Sequence, residues 1–236
     1  MSHAIPLYAG FDQREAAGYH VFCQSVIERS SVPVAFHPLH RGMLNDFDGQ
    51  KDGTNAFIYS RFLVPYLQNF TGWAIFADAS DMVVADDIAK LWAEREKHVF
   101  DKALCVVPHD YKTKHAWKYI GTPMEAKNLD YPMKNQSSLI LWNCAHFANR
   151  ILTPEFVAEA QGSFLHRFSW VHPQQIGALD PNWNALAEEQ DVSLASLIHF
   201  TLGSPGFKHY EHCAGSEHWH RARKNAMHME GEKCQA

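Results

Sequence analysis

The chain has 236 residues, 46% of them hydrophobic and 20% charged, with a formal net charge of -5. That is the balance of one large globular α/β domain, and it lacks the clustered Lys and Arg that a nucleic-acid binder needs. No apolar run approaches the ~20 residues of a membrane span, and the five Cys show no paired spacing, which argues against a disulfide framework. Met1-Ser2-His3-Ala4 leads into the fold without a signal-peptide pattern, so the expected setting is reducing and cytoplasmic, with a single domain over 1–236.

Residues 5–10 read as a short apolar strand, 15–29 as a helix and 32–39 as a second strand. Strand, helix and strand in this order predict a parallel β-α-β unit. Gly10, Phe11 and Asp12 close the first strand. Gly10 would let a ligand approach the backbone, and Asp12 would either cap the helix or accept from a base or ribose. Residues 41–54 are rich in Gly, Asp and Asn and read as a loop. Residues 55–67 read as a helix with an apolar face, interrupted by Arg61, a bulky cation that needs a partner such as a pyrophosphate or a nearby carboxylate.

Residues 73–77 (WAIFA) have the bulk and length of a buried strand. The run stops at Asp78, and Asp81 follows before a second apolar stretch. Two close carboxylates at a strand end place negative charge where open α/β folds bind ligands. They also suit a hard divalent cation that holds phosphates. Asp86 and Asp87 read as structural, Asp87 as the N-cap of a helix over 88–92. A strand over 103–108 then leads into a polar loop, 109–115, that either contacts an acceptor or is simply solvated. Residues 124–134 read as loop, 135–144 as a strand, and a helix starts at Pro154 after Thr153. A helix is expected over 172–179, and a strand ends at His199. A His there adds a nitrogen donor to the two Asp, a mixed set that suits Mn²⁺. The Gly-rich turn after it, with Gly203 and further on Lys208, resembles a diphosphate cradle. The tail from 211 is polar and His-rich, and is expected to pack loosely.

FADASDMVVADDIAKLW resembles the metal-binding segment of glycosyltransferase family 8, and YSRFLVP over 59–65 is similar to that family's Arg-bearing helix. NQSSL over 135–139 and PNWN over 181–184 resemble further segments, in the same order along the chain. The resemblance implies a GT-A-type fold, a Rossmann-like, mostly parallel mixed sheet flanked by helices. It implies a retaining transfer of sugar from a nucleotide-sugar, UDP-linked, to a glycan or other hydroxyl acceptor. Asp78, Asp81 and His199 would hold Mn²⁺ or Mg²⁺. Gly10, Phe11, Asp12, Gly203 and Lys208 would contact the nucleotide diphosphate, and Arg61 and Gln175 would act at the sugar. A silent nucleotide-sugar binder and a metal-dependent nucleotidyl- or phosphotransferase are the alternatives. The second lacks any Gly-x-x-x-x-Gly-Lys loop.

Overall fold

The computed structural model describes residues 4–44, 55–98 and 101–228. Strands β1 (Ile5–Gly10), β2 (Val34–Leu39), β3 (Trp73–Ala77), β4 (Met82–Val84), β5 (Leu104–Val106), β6 (Trp117–Lys118), β7 (Ala126–Lys127), β8 (Leu139–Asn143), β9 (Ile176–Ala178), β10 (Ala185–Leu186) and β11 (Leu197–His199) are joined by helices. These are α1 (Ala16–Arg29), α2 (Val64–Leu67), α3 (Ile88–Ala93), α4 (Pro154–Glu159), α5 (Gly162–His166) and α6 (Ser216–Ala226). The central sheet has six strands in the order β2-β1-β3-β8-β5-β9. Five run parallel, and β8 is antiparallel to both β3 and β5. The mixed, mainly parallel sheet flanked by helices is the expected fold class. A small second sheet, β10-β11-β4, lies beside it.

Alternation along the strands divides the core into two layers. Ile75 and Ala77 of β3, Leu139 and Leu141 of β8 and Cys105 of β5 join Phe22 and Val26 of α1 on one face. Phe76, Ile140, Trp142, Leu104 and Val106 point to the other, where Phe62, Val157, Leu165 and Phe168 cover them. Burial on both faces explains why these strands are apolar throughout.

Four expectations are corrected. The stretch 55–67 is helical only from Ser60, as a tight 3-10 turn running into the single turn α2. The strand expected over 135–144 begins at Leu139, because Asn135 adopts a left-handed conformation (φ 62°) and starts a 3-10 turn over Gln136–Ser138. Residues 172–179 are a 3-10 turn (Pro173–Gln175) followed by β9, because Ile176–Ala178 pairs with β5 and Gly177 admits the Cys105 thiol. A Cβ on Gly177 would lie 2.5 Å from the Cys105 Sγ. In the tail, α6 buries Ser216, Trp219 and Ala222 against Val21, Val83, Ile198 and Phe200, and Asn225 donates to Glu28 (2.8 Å). Residues 45–54 of the expected loop and 229–236 of the tail lie outside the described residues. Among the described residues, no helix is long and apolar enough to cross a membrane.

Candidate active site

The sheet topology brings the site together. β1, β3, β5 and β9 all end at one edge of the sheet. β8 runs the other way, so the turn that precedes it, with Ser137 and Ser138, meets them there. Asp78 follows β3 directly, and its backbone N–H donates to the Ser138 carbonyl (2.8 Å). A 3-10 turn, Ala79–Asp81, then presents Asp81 on the same side. Helix α1 presses against this turn at Gly18. A Cβ there would fall 1.8 Å from the Ser80 carbonyl oxygen, so only glycine lets the helix back the turn this closely. β11 pairs antiparallel with β4, the strand that leaves Asp81. Phe200 N–H donates to the Asp81 carbonyl (2.8 Å), and this seats His199 beside the Asp81 side chain.

Arg61, Asp78, Asp81 and His199 thus line one cavity of about 380 Å³, with Ser137, Ser138 and α5 on its walls. Arg61 is buried. Its Nη1 lies 2.9 Å from Asp78 Oδ1 and donates to the Ser137 carbonyl (2.9 Å), while Nε donates to Ile58 O (3.0 Å). The guanidinium also lies over the Phe57 and Phe76 rings, 5.4 and 5.1 Å from their centroids. Of the two partners expected for this cation, a pyrophosphate or a nearby carboxylate, the structure shows the carboxylate of Asp78. Burial nonetheless raises the Asp78 carboxyl to about 6, against the lowering effect of Arg61.

A hydrogen-bond network fixes His199. Asn184 Nδ2 donates to Ser138 Oγ (2.9 Å) and to the Asn135 carbonyl (3.2 Å), so Asn184 Oδ1 is left to accept from His199 Nδ1 (3.0 Å). With the proton on Nδ1, the His199 Nε2 lone pair faces Asp81 Oδ1 at 3.4 Å. Asp81 Oδ2 accepts from the buried Tyr119 hydroxyl (3.3 Å), but Asp81 Oδ1 is buried without a hydrogen-bond donor, while Asp78 Oδ1 faces the Arg61 guanidinium. Lone pairs facing one another in a buried site need positive charge. A proton on Nε2 or a bound cation supplies it. Among the described residues, no three His, Cys, Asp or Glu side chains already stand at metal-binding spacing. A divalent ion here would draw on Asp78, Asp81 and His199, and on oxygen ligands from outside the protein for the rest.

The remaining sequence candidates fall elsewhere. Gly10, Phe11 and Asp12 do not line the cavity. Gly10 makes room for Phe57, whose ring would meet a Cβ at 2.6 Å, and Phe11 packs edge-on against Tyr19. The Asp12 carboxylate is spent on Arg14 and on the Arg14 and Ala56 backbone N–H groups, so it caps and braces the start of α1. Gln175 sits at the opposite edge of the sheet, at the start of β9, where it closes a capping box with His172 (3.4 Å). Gly203 takes a positive φ of 146° under the Tyr210 ring, and Lys208 lines a separate cavity of about 330 Å³. Asp86 and Asp87 are structural as expected. Asp86 pairs with Lys90 (2.8 Å), and Asp87 caps α3 by accepting from Ala89 N–H (2.9 Å).

Two features escaped the sequence. The first is α5, whose Ser163 and His166 line the cavity wall together with Arg167, the residue that caps its end. His166 Nδ1 lies 2.7 Å from Ser137 Oγ, and burial, with Arg61 nearby, lowers the imidazole to about 3. The second is Glu15, buried behind the acid turn, where its Oε2 accepts from Ser80 Oγ (3.2 Å). Burial first, then the Asp81 charge, raises its carboxyl to about 8, from 4.5. Between those values the folded protein keeps a proton that the unfolded chain has lost, so Glu15 makes stability fall as pH rises. Glu15→Gln removes that loss. In metal-free buffer its melting temperature relative to wild type should rise by roughly 4 °C or more between pH 5 and pH 8.5, at about 2–4 °C per kcal/mol. Melting curves that stay parallel across this range would show that Glu15 is ionised throughout.

No family model matches the chain. It is 34% identical over 226 residues to Protein CDI of Arabidopsis thaliana, covering 90% of this chain and 83% of that protein. The chain belongs to the Protein CDI family. Solved structures share its fold at lower identity. The galactosyltransferase LgtC, in complex with donor and acceptor sugar analogs, is 12% identical with a TM-score of 0.59, covering 95% of this chain and 97% of that one. The bifunctional glycosyltransferase WbbM is 14% identical with a TM-score of 0.60 over 95% of this chain, which spans half the length of WbbM. The glycosyltransferase GlyE of Streptococcus pneumoniae is 11% identical with a TM-score of 0.60, covering 94% of this chain and 60% of that one. The family 8 resemblance thus stands at the level of the GT-A fold.

Proposed function

We propose that this Protein CDI relative is a retaining glycosyltransferase that moves a sugar from a nucleotide-sugar, UDP-linked, to a hydroxyl acceptor. The observation that carries the reading is the approach of His199 Nε2 to the buried, donor-less Asp81 Oδ1, 3.4 Å apart, beside the Asp78 carboxylate at the carboxyl edge of the sheet. Asp78, Asp81 and His199 would hold Mn²⁺ or Mg²⁺, which as a Lewis acid offsets the charge building on the leaving diphosphate. Arg61, held rigid by its carbonyl and aromatic contacts, adds a fixed positive charge at the same floor.

Among the described residues, the cavity has no carboxylate besides Asp78 and Asp81, and both would be committed to the cation. No further carboxylate among the described residues is left to serve as a nucleophile toward the sugar. This supports direct attack by the acceptor hydroxyl. Its oxygen bonds to the anomeric carbon on the face from which the diphosphate departs, the carbon–oxygen bond to phosphate breaks, and the hydroxyl proton passes to the departing diphosphate. The protein's part is to fix the donor, exclude water and hold the charges in place.

Turnover is the test. The protein should release nucleoside diphosphate from one nucleotide-sugar in Mn²⁺, slowly by hydrolysis and faster with a competent hydroxyl acceptor, and EDTA should stop it. A nucleotide that binds without turnover, whatever sugar acceptors are added, would favour the silent binder. The lack of a preassembled three-ligand set among the described residues keeps that second reading in play.

A further inference from the structure

Tyr119, the residue after β6, is held in a strained backbone conformation. Its φ is 55°, a left-handed value that an aromatic side chain rarely adopts and that persists only where the surroundings over-determine it. Those surroundings are specific. The Tyr119 N–H donates to the Leu202 carbonyl (2.6 Å), and the Tyr119 carbonyl accepts from the Thr122 N–H (3.1 Å) and hydroxyl (2.8 Å). The following N–H, of Ile120, donates to the Tyr210 hydroxyl (2.9 Å), and the Tyr210 ring occupies the space that a Cβ on Gly203 would need. The result is a buried ring, edge-on to Phe207, whose hydroxyl reaches Asp81 Oδ2 at 3.3 Å.

A carboxylate that binds a cation through one oxygen is oriented by whatever hydrogen-bonds the other. Asp81 is divided in this way. Its Oδ2 is taken by the phenol, whereas Oδ1 has no donor among the described residues and faces His199 Nε2 at 3.4 Å. His199 is anchored alike, with Nδ1 held by Asn184 Oδ1 (3.0 Å) and Nε2 left facing Asp81. A phenol that blocked the site would sit on the open oxygen, between Asp81 and His199, and this one does not. We infer that Tyr119 is a positioning residue for the cation. By holding Asp81 Oδ2, its hydroxyl keeps Oδ1 presented beside His199 as a metal ligand, without ligating the ion itself. The strain at Tyr119 is the cost of that placement. The role rests on the metal-dependent reading of the same cavity.

The test is a Mn²⁺ titration of wild type and Tyr119→Phe, read by the loss of the free-ion signal in electron paramagnetic resonance. UDP, GDP and CDP are each supplied in turn. Tyr119→Phe removes one oxygen and keeps the ring, so it should melt within a few degrees of wild type. Its Mn²⁺ dissociation constant should rise about tenfold or more, and saturating Mn²⁺ should return nucleotide affinity and turnover to within about threefold of wild type. A hydroxyl that only supports the fold would leave Mn²⁺ affinity unchanged, and that result would overturn the inference. Tighter Mn²⁺ binding would overturn it too, because the phenol would then be competing with the ion for Asp81. So would a nucleotide affinity that saturating Mn²⁺ does not restore, which would make Tyr119 a direct nucleotide contact. In these three cases the wild type still takes up Mn²⁺ with a nucleotide, and the proposed activity stands. A wild type that takes up no Mn²⁺ with any of the three nucleotides would overturn the metal-dependent reading and this role with it.

Discussion

Arg61→Ala costs about 3–5 kcal/mol of stability, a fall of roughly 6–20 °C in melting temperature. The size follows from what the side chain leaves behind. Asp78 remains buried with its counter-charge gone, the Ile58 and Ser137 carbonyls lose their donors, and the space between the Phe57 and Phe76 rings empties. The loss grows with pH. The Asp78 carboxyl, already raised to about 6 with Arg61 present, rises further without it. A neutral Asp78 at pH 5 therefore tolerates the vacancy better than a charged one at pH 8. Arg61→Met with Asp78→Asn removes both charges and should recover most of the stability while nucleotide-sugar turnover stays lost. Urea unfolding of the three proteins at pH 5 and pH 8 decides it. An Arg61→Ala variant within 1 kcal/mol of wild type at both values would show that the pair is solvated and the floor of the site is open.

Asp81→Asn separates stability from function in the opposite direction. The amide keeps the shape and can still accept from the Tyr119 hydroxyl, but it removes a negative charge that faces Asp78 and raises Glu15. The metal-free variant should melt at the wild-type temperature or above it, because buried like charges are relieved. Turnover should fall roughly a hundred- to a thousandfold, the loss of several kcal/mol of charge stabilisation in the transition state. A site that is destabilised in its resting state in order to hold a cation behaves in this way. If Asp81→Asn instead unfolds the protein, the carboxylate is a structural anchor. If turnover survives, the cation sits elsewhere.

The core of this account was legible in the residues, and its errors have physical causes. The run Trp73–Ala77 stopping at Asp78 could be read because a strand buried on both faces leaves a continuous apolar signal, and the polar turn that ends it stands out. Asp87 as a cap was equally local. Gln175 was misplaced because Ile176-Gly177-Ala178 is too short to show a period, and only pairing with β5 makes it a strand. That pairing carries the Gln to the far edge of the sheet. Helix α5, five residues long, is too short to leave a periodic signal in the sequence. Its place on the cavity wall depends on Gly162 meeting Tyr59, about a hundred residues away in sequence. Glu15 looked like an ordinary helix start, and its burial depends on the turn around Ser80 folding onto it. The tail did hold a signal. Ser216, Trp219 and Ala222 recur at a spacing of three, one buried stripe on an otherwise polar helix.

The most direct measurement is the melting temperature of wild type and Asp81→Asn with UDP, GDP and CDP, each with Mn²⁺ or with EDTA. A ligand that binds only the folded state at a hundred times its dissociation constant adds about 2.7 kcal/mol, or roughly 5–10 °C here. The account predicts such a shift for one nucleotide in Mn²⁺, lost in EDTA and lost in Asp81→Asn. No shift with any nucleotide on the folded protein, or the same shift in EDTA and in the variant, would contradict it.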